Sequence, residues 1–331
     1  MKKVKLVFTI IATVLGVLLL AALVYCSYFI IVSDRLEDSL ELDVKNEAEI
    51  SEFPEKELTV TLWNIGGGVS VEGYWDYSEG GGNTRGRSKN DTEKTLEAIA
   101  KLLEATKSDI ILLSEVDNGA TRSFLIDETD FFASCFGTME LCESPLYRSP
   151  YIAIPFDSPV GYMRNSLLTL TRARMLSAHR VSLPVFSSFM KYLDADRAYS
   201  VVHVKEQDRT LAVYNVSLSD FSVSNGELAK KQLLNVLEDM KKSRKNGESV
   251  ICGGDFSTMI ESGLLTVSDL PDGFCSVITE SATARDPITG ETVYRDAFIV
   301  SDDITVSSVT LSNEDLSLSD RMAITIKIKI K

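Results

Sequence analysis

Asp109-Ile-Ile-Leu-Leu113-Ser-Glu115-Val-Asp117 is the stretch that decides the fold. Its four consecutive apolar residues, Ile110 to Leu113, are too few for a core helix and suit a strand buried on both faces. Glu115 and Asp117 then stand where that strand leaves the sheet. Further segments repeat this form on either side. Upstream, Leu58-Thr-Val-Thr-Leu-Trp63 alternates like a strand and runs into Asn64-Ile-Gly66-Gly-Gly68. Downstream, Ser249-Val-Ile-Cys252 leads into Gly253-Gly-Asp255-Phe-Ser257, and Leu318-Ser-Asp320-Arg321 precedes the strand pattern Ala323-Ile-Thr-Ile-Lys-Ile-Lys-Ile330.

Between these segments the chain alternates strands and helices. A helix capped by Asn90 or Asp91 runs through Lys107, with Leu96, Ile99, Ala100 and Leu103 on one face. A second, over 225–243, turns Leu228, Leu233, Val236, Leu237 and Met240 inward. Further strands are expected at 151–156, 165–171, 198–205, 210–218, 296–300 and 304–311, and Ser177-Ala-His-Arg-Val181 is strand-like. The glycine-rich stretch from Tyr77 to Asn90 reads as a long loop. Periodicity alone gives a mixed α/β domain.

The N-terminus stands apart. Lys2, Lys3 and Lys5 precede an uncharged run from Leu6 to Ser33, longer than the twenty or so residues that span a bilayer. The division expected is a cytoplasmic tail over 1–5, a transmembrane helix over 6–33, an acidic stalk over 34–57 and a single domain over 58–331. The lysines lie before the span and Asp34, Glu37, Asp38, Glu41 and Asp43 after it, which orients the domain outside the cell membrane. Formal charge is −14, and −17 once the three lysines are set aside. So acidic a body repels polyanions, which makes nucleic acid an unfavourable partner. Five cysteines form no disulfide framework: Cys26 is in the span, Cys252 in an apolar strand, and Cys135 and Cys142 on an expected loop where pairing is open.

The four motifs, in this order, resemble the endonuclease/exonuclease/phosphatase superfamily and its membrane-anchored bacterial branch, from about Leu58 to the C-terminus. The resemblance implies a four-layer α/β sandwich, two packed and mostly antiparallel sheets flanked by helices. It also implies hydrolysis of a phosphate ester with one divalent ion, Mg²⁺ or Mn²⁺, on Glu115 and Asn64. Asp255 would orient or deprotonate the attacking water, with Gly253 and Gly254 admitting substrate to the backbone. Asp296, in Arg295-Asp-Ala-Phe-Ile-Val300, matches the carboxylate that orients a terminal histidine, and Asp320 the aspartate before that histidine. Asn165 matches an asparagine close to bound phosphate. Arg122 and Arg197 recur in the anchored branch without an assigned role.

Three positions depart from the pattern. Arg321 stands where the family has its terminal histidine, Ser217 where it has a second histidine, and Ser257 where it has a transition-state asparagine. Arginine stays protonated and a serine hydroxyl is a poor acid. General acid–base groups contribute about 10²–10⁴-fold each. His179 and His203 align with neither lost position and read as structural. Two classes therefore remain: a fold retained as a binding module with hydrolysis impaired or lost, and an active metal-dependent phosphoesterase acting on a small or lipid-linked phosphate ester near the membrane.

Overall fold

The computed structural model describes residues 2–33, 36–54, 57–69, 82–185, 196–220, 223–256, 270–285 and 290–331. Four helices are present among them: α1 (Lys2–Val32), α2 (Lys89–Thr106), α3 (Glu128–Cys135) and α4 (Glu227–Lys245). The strands begin with β1 (Ser39–Glu41), β2 (Val44–Lys45), β3 (Glu57–Asn64), β4 (Ile110–Asp117) and β5 (Glu140–Arg148). They continue with β6 (Arg164–Thr171), β7 (Met175–Ser182), β8 (Ala198–Glu206), β9 (Arg209–Ser217) and β10 (Ser249–Asp255). The rest are β11 (Phe274–Val277), β12 (Ala284–Arg285), β13 (Thr292–Val293), β14 (Asp296–Ser301), β15 (Ile304–Ser312) and β16 (Ala323–Ile330).

Two sheets result, ordered β1-β7-β8-β9-β10-β14-β11 and β15-β16-β3-β4-β6-β5-β2, with β12-β13 as a separate ribbon. Each large sheet has one parallel pair, β9–β10 and β3–β4, and is otherwise antiparallel. The burial of alternate residues explains the apolar runs. Ile110 and Leu112 of β4 join Leu58, Val60 and Leu62 of β3 and Val213, Ile251 and Phe298 of the other sheet in the inner core. Ile111 and Leu113 point the opposite way, against Leu96, Ile99 and Leu103 of α2 and Phe132 of α3. Leu233, Val236, Leu237 and Met240 of α4 cover the far face of the other sheet, on Tyr214, Val250 and Ile299. The architecture is thus helix, sheet, sheet, helix, as the motifs imply.

Several local expectations are corrected. Within the segment expected as a stalk, the described residues 36–54 lie against the domain: β1 pairs with β7, β2 pairs with β5, and Phe53 is fully buried beside Glu206. Such short edge pairings rest on backbone hydrogen bonds and leave no side-chain periodicity to read. No strand forms over 151–156, where Pro150 and Pro155 remove ladder donors and only Ile152 bridges to Gly161. Ser88, not Asn90 or Asp91, caps α2, its Oγ accepting from the Asp91 N–H at 3.1 Å. Cys135 ends α3 and Cys142 is buried in β5, so neither lies on a loop, and both are free thiols. Part of the long loop before α2 and all of Ser257 lie outside the described residues.

Candidate functional site

Glu115 sits where β4 bulges between Leu113 and Val116, at φ +53°. A non-glycine residue in the left-handed region is strained and is held there by its surroundings. Here the holding groups are visible. Oε1 accepts from Asn64 Nδ2 at 3.0 Å, and Oε2 pairs with Arg122 Nη2 at 3.2 Å. Asn64 Oδ1 in turn accepts from the Gly66 N–H. Arg122 grips Asp117 with two bonds, Nε to Oδ2 at 2.9 Å and Nη2 to Oδ1 at 3.0 Å. Gly67, at φ +61°, must be glycine, because a Cβ there would lie 2.6 Å from Asp117 Oδ2.

Burial alone would raise the Glu115 pKa, but the charge of Arg122, the Asn64 hydrogen bond and the charge of Arg321 outweigh it and hold the carboxyl below its ordinary range. Behind this group Glu128, fully buried at the start of α3, accepts the Asp117 N–H at 2.8 Å. Burial and the neighbouring Asp117 charge push its carboxyl well above the ordinary carboxylate range. Neither the Arg122–Asp117 clamp nor Glu128 carried a role in the sequence reading. Asp117 and Arg122 stand five residues apart, a spacing that does not by itself announce the contact.

The second part of the site is built by register. Across β9, β10 and β14, Ser217, Asp255 and Asp296 are direct partners at one level of the sheet. Arg321, only 2% exposed, reaches them from the segment before β16. Its Nη1 lies 3.4 Å from Asp255 Oδ2 and 3.7 Å from Asp296 Oδ2, and its Nε lies 3.3 Å from Asp320 Oδ2. Its carbonyl accepts from Trp63 Nε1 at 3.0 Å, and Ser319 Oγ donates to the Asn64 carbonyl at 2.8 Å, so this segment is tied to the end of β3. Neither Asp296 oxygen has a hydrogen-bond partner among the described residues. Burial pushes its pKa up to about 8; Arg321 opposes this, while Asp255 and Asp320 add to it. Asp320 is likewise raised by burial.

The remaining expected residues fall around this centre. Ser217 Oγ accepts from Arg197 Nη1 at 3.0 Å. Asn165 pairs with Asp117 across the β4–β6 ladder. Its Oδ1 is buried without a partner, and the residue lines a cavity of about 430 Å³. His203 bonds to Ser177 Oγ through Nδ1 at 2.9 Å, away from the four motifs. The two glycines before Asp255 do not open the backbone to substrate. A Cβ on Gly254 would fall 2.0 Å from the Val216 carbonyl oxygen, and one on Gly253 would meet Leu112 and Phe298 at 2.8 Å. Close strand and sheet packing, not ligand approach, requires them.

Asn64 and Glu115 therefore lie together, but their donors are already committed. Both Glu115 oxygens and Asn64 Oδ1 are bonded within the protein, and Asp255 and Asp320 face a guanidinium. Among the described residues no three His, Cys, Asp or Glu side chains gather as metal ligands. As folded, this donor set does not fit a divalent ion.

No protein-family model and no curated protein matches the sequence. Solved structures do match in shape. An endonuclease/exonuclease/phosphatase from Beutenbergia cavernae has TM-score 0.59 at 16% identity, covering 83% of this chain and 72% of that one. An endonuclease/exonuclease/phosphatase family protein from Leptotrichia buccalis gives 0.57 at 14%, covering 82% and 100%. TDP2 from D. rerio, complexed with a single strand DNA product, gives 0.56 at 15%, covering 83% and 100%. With two seven-stranded sheets of this order, helices on both outer faces and the motif residues at the strand ends, the chain has the endonuclease/exonuclease/phosphatase fold.

Proposed function

We propose that this chain is a membrane-anchored, extracellular protein that keeps a phosphoesterase fold while its hydrolytic activity is impaired or lost. The observation that carries the proposal is Arg321, a permanent cation buried among Asp255, Asp296 and Asp320 where a base is needed. Its guanidinium supplies positive charge to those carboxylates but cannot take a proton from water. Ser217, bonded to Arg197, offers no acid in its place. The anchor is α1, long and apolar enough to cross a membrane, and the lysines at its start set the orientation. A Mg²⁺ or Mn²⁺ ion on Asn64 and Glu115 requires Arg122 to leave Glu115, so metal dependence belongs to the second reading. Nucleic acid is not proposed as a ligand, because a chain of net charge −14 repels it.

That second reading is an active phosphoesterase on a small or lipid-linked phosphate ester. One observation favours it: a carboxyl at Asp296 titrating at about 8 is suited to move a proton near neutral pH. The test is a hydrolysis screen of the full-length protein, with and without Mg²⁺ or Mn²⁺, against phosphomonoesters, phosphodiesters and sphingomyelin. Wild type should give no turnover above background, and the triple variant Ser217→His, Ser257→Asn, Arg321→His, which restores the proton-moving groups, should raise hydrolysis above wild type. Ordinary enzymatic rates in wild type, abolished by Glu115→Ala, would establish the second reading instead.

A further inference from the structure

The cavity of about 430 Å³ has two kinds of wall. Tyr28 and Val32 come from the end of α1, and Arg148, Tyr162, Arg164 and Asn165 come from the domain. Arg148 and Arg164 are direct partners across the β5–β6 ladder. Like charges placed opposite one another on neighbouring strands repel. Among the described residues neither arginine forms an ion pair, in a chain where carboxylates outnumber cations 48 to 34. The one carboxylate in the wall, Glu143, already accepts from Asn118 Nδ2 and Ser166 Oγ. Arg164 lies over the Tyr162 ring, 4.7 Å from its centroid, which steadies the guanidinium plane and leaves its edge for an anion. Asn165, whose Oδ1 is buried without a partner among the described residues, lines the inner end.

The position of the cavity identifies the anion. At 31 residues α1 is about 46 Å long, against a hydrocarbon core of about 30 Å. Its last turns therefore emerge at headgroup level, where tyrosines collect. Tyr25 Oη donates to the Tyr151 carbonyl and accepts the Ala153 N–H, both at 3.1 Å, and Tyr28 Oη accepts the Tyr151 N–H at 3.3 Å. The helix end and the loop before β6 are thus joined. That loop exposes Ile154 (53%) and Phe156 (87%).

We propose that this cavity is a phospholipid headgroup site, in which the phosphate of a lipid from the bilayer crossed by α1 seats between Arg148 and Arg164 while Ile154 and Phe156 enter the interface beside it. The inference rests on α1 as an anchor and names a lipid phosphate as the ligand the domain meets. Asn165 pairs with Asp117, so the inner end of the cavity adjoins the Glu115–Arg122–Asp117 group.

The test uses the full-length chain in nanodiscs of phosphatidylcholine, with or without phosphatidylglycerol, and counts retained lipid by native mass spectrometry. Wild type should retain one phosphatidylglycerol, and the double variant Arg148→Ala, Arg164→Ala should lose about tenfold of that occupancy, the loss of charge-assisted bonds to phosphate. If the double variant does not fold, Arg148→Ala alone, on an exposed residue, carries the same comparison. Equal retention in variant and wild type would overturn the site. Displacement of the lipid by millimolar inorganic phosphate would assign the cavity to free phosphate and overturn the lipid source. Alkaline carbonate extraction separates the two layers of the argument. Protein released to the supernatant removes the anchor itself, whereas retained protein with no lipid difference removes only the headgroup site.

Discussion

Two arginines occupy the site, and they are held in opposite ways. Arg122 makes close, directed bonds to Asp117 and Glu115 at 2.9–3.2 Å, in a group backed by Asn64, Gly66 and Glu128. Arg321 stands among three aspartates at 3.3–3.7 Å, donating from Nε to Asp320 Oδ2, while among the described residues neither Asp296 side-chain oxygen has a hydrogen-bond partner. The first is a two-bond clamp on one carboxylate; the second has one longer bond, to Asp320, and otherwise meets Asp255 and Asp296 through charge at 3.4 and 3.7 Å. Directed bonds fix geometry, so the Glu115 end keeps its backbone strain and its orientation. Charge balance fixes only the sum, so the Arg321 end constrains side-chain geometry less tightly.

The comparison predicts its largest effect at Arg321. Arg321→Ala leaves Asp255, Asp296 and Asp320 facing one another in a buried space, and breaking such a group by removing one partner costs about 3–5 kcal/mol. Thermal or denaturant unfolding at neutral pH measures it. Because burial raises Asp296 and Asp320, acidification should return part of the loss by neutralising them. A loss independent of pH would mean that Arg321 acts by packing and not by charge.

Arg122→Ala should cost less, about 2–3 kcal/mol, since Glu115 keeps Asn64 and is partly solvated while Asp117 loses its two bonds. Arg122→Lys should recover little of it, because an ammonium cannot reproduce the forked pair on Asp117. Full recovery by lysine would reduce the clamp to simple charge and erase the contrast with Arg321.

What the sequence made legible follows the same division. β3, β4, β9, β10 and β16 carry long apolar runs or alternation because both of their faces, or one, are buried, and those strands were readable with their terminal residues Asn64, Glu115 and Asp255. β5 was not, since Glu140, Glu143, Ser144 and Pro145 break its pattern; Pro145 is tolerated at a bulge, and the register shifts between Pro145 and Tyr147. α3 is eight residues long and is announced only by Asp127, whose side chain accepts the Asp130 N–H. Within the site, identities were readable but partners were not. Asp320 and Asp255 lie nearer to Arg321 than Asp296 does, and it is register, not spacing, that brings Asp255 to that level. Asp117 and Arg122 are five residues apart, a distance that says nothing of a clamp until the chain turns between them.

The last expected effect is a change of slope with pH, and it sharpens the comparison most because it separates charge from contact at Asp296. Its carboxyl is raised from about 4 to about 8, chiefly by burial, so the folded protein keeps a proton over a range where the unfolded chain has released it. The folded state therefore binds more protons than the unfolded one between those values, and stability falls as pH rises through that window. Above it the aspartate is ionised in both states and the penalty is complete. Asp296→Asn cannot ionise, so it should remove this slope. Near pH 4 the variant should melt close to wild type, and its advantage should widen as pH rises towards 8. Arg321 loses only its longest contact, 3.7 Å, and retains Asp255 and Asp320. Melting curves between pH 4 and 8 decide it. If Asp296→Asn instead destabilises at every pH by as much as Arg321→Ala, the Arg321–Asp296 contact is itself a structural bond, and the second arginine is a clamp like the first.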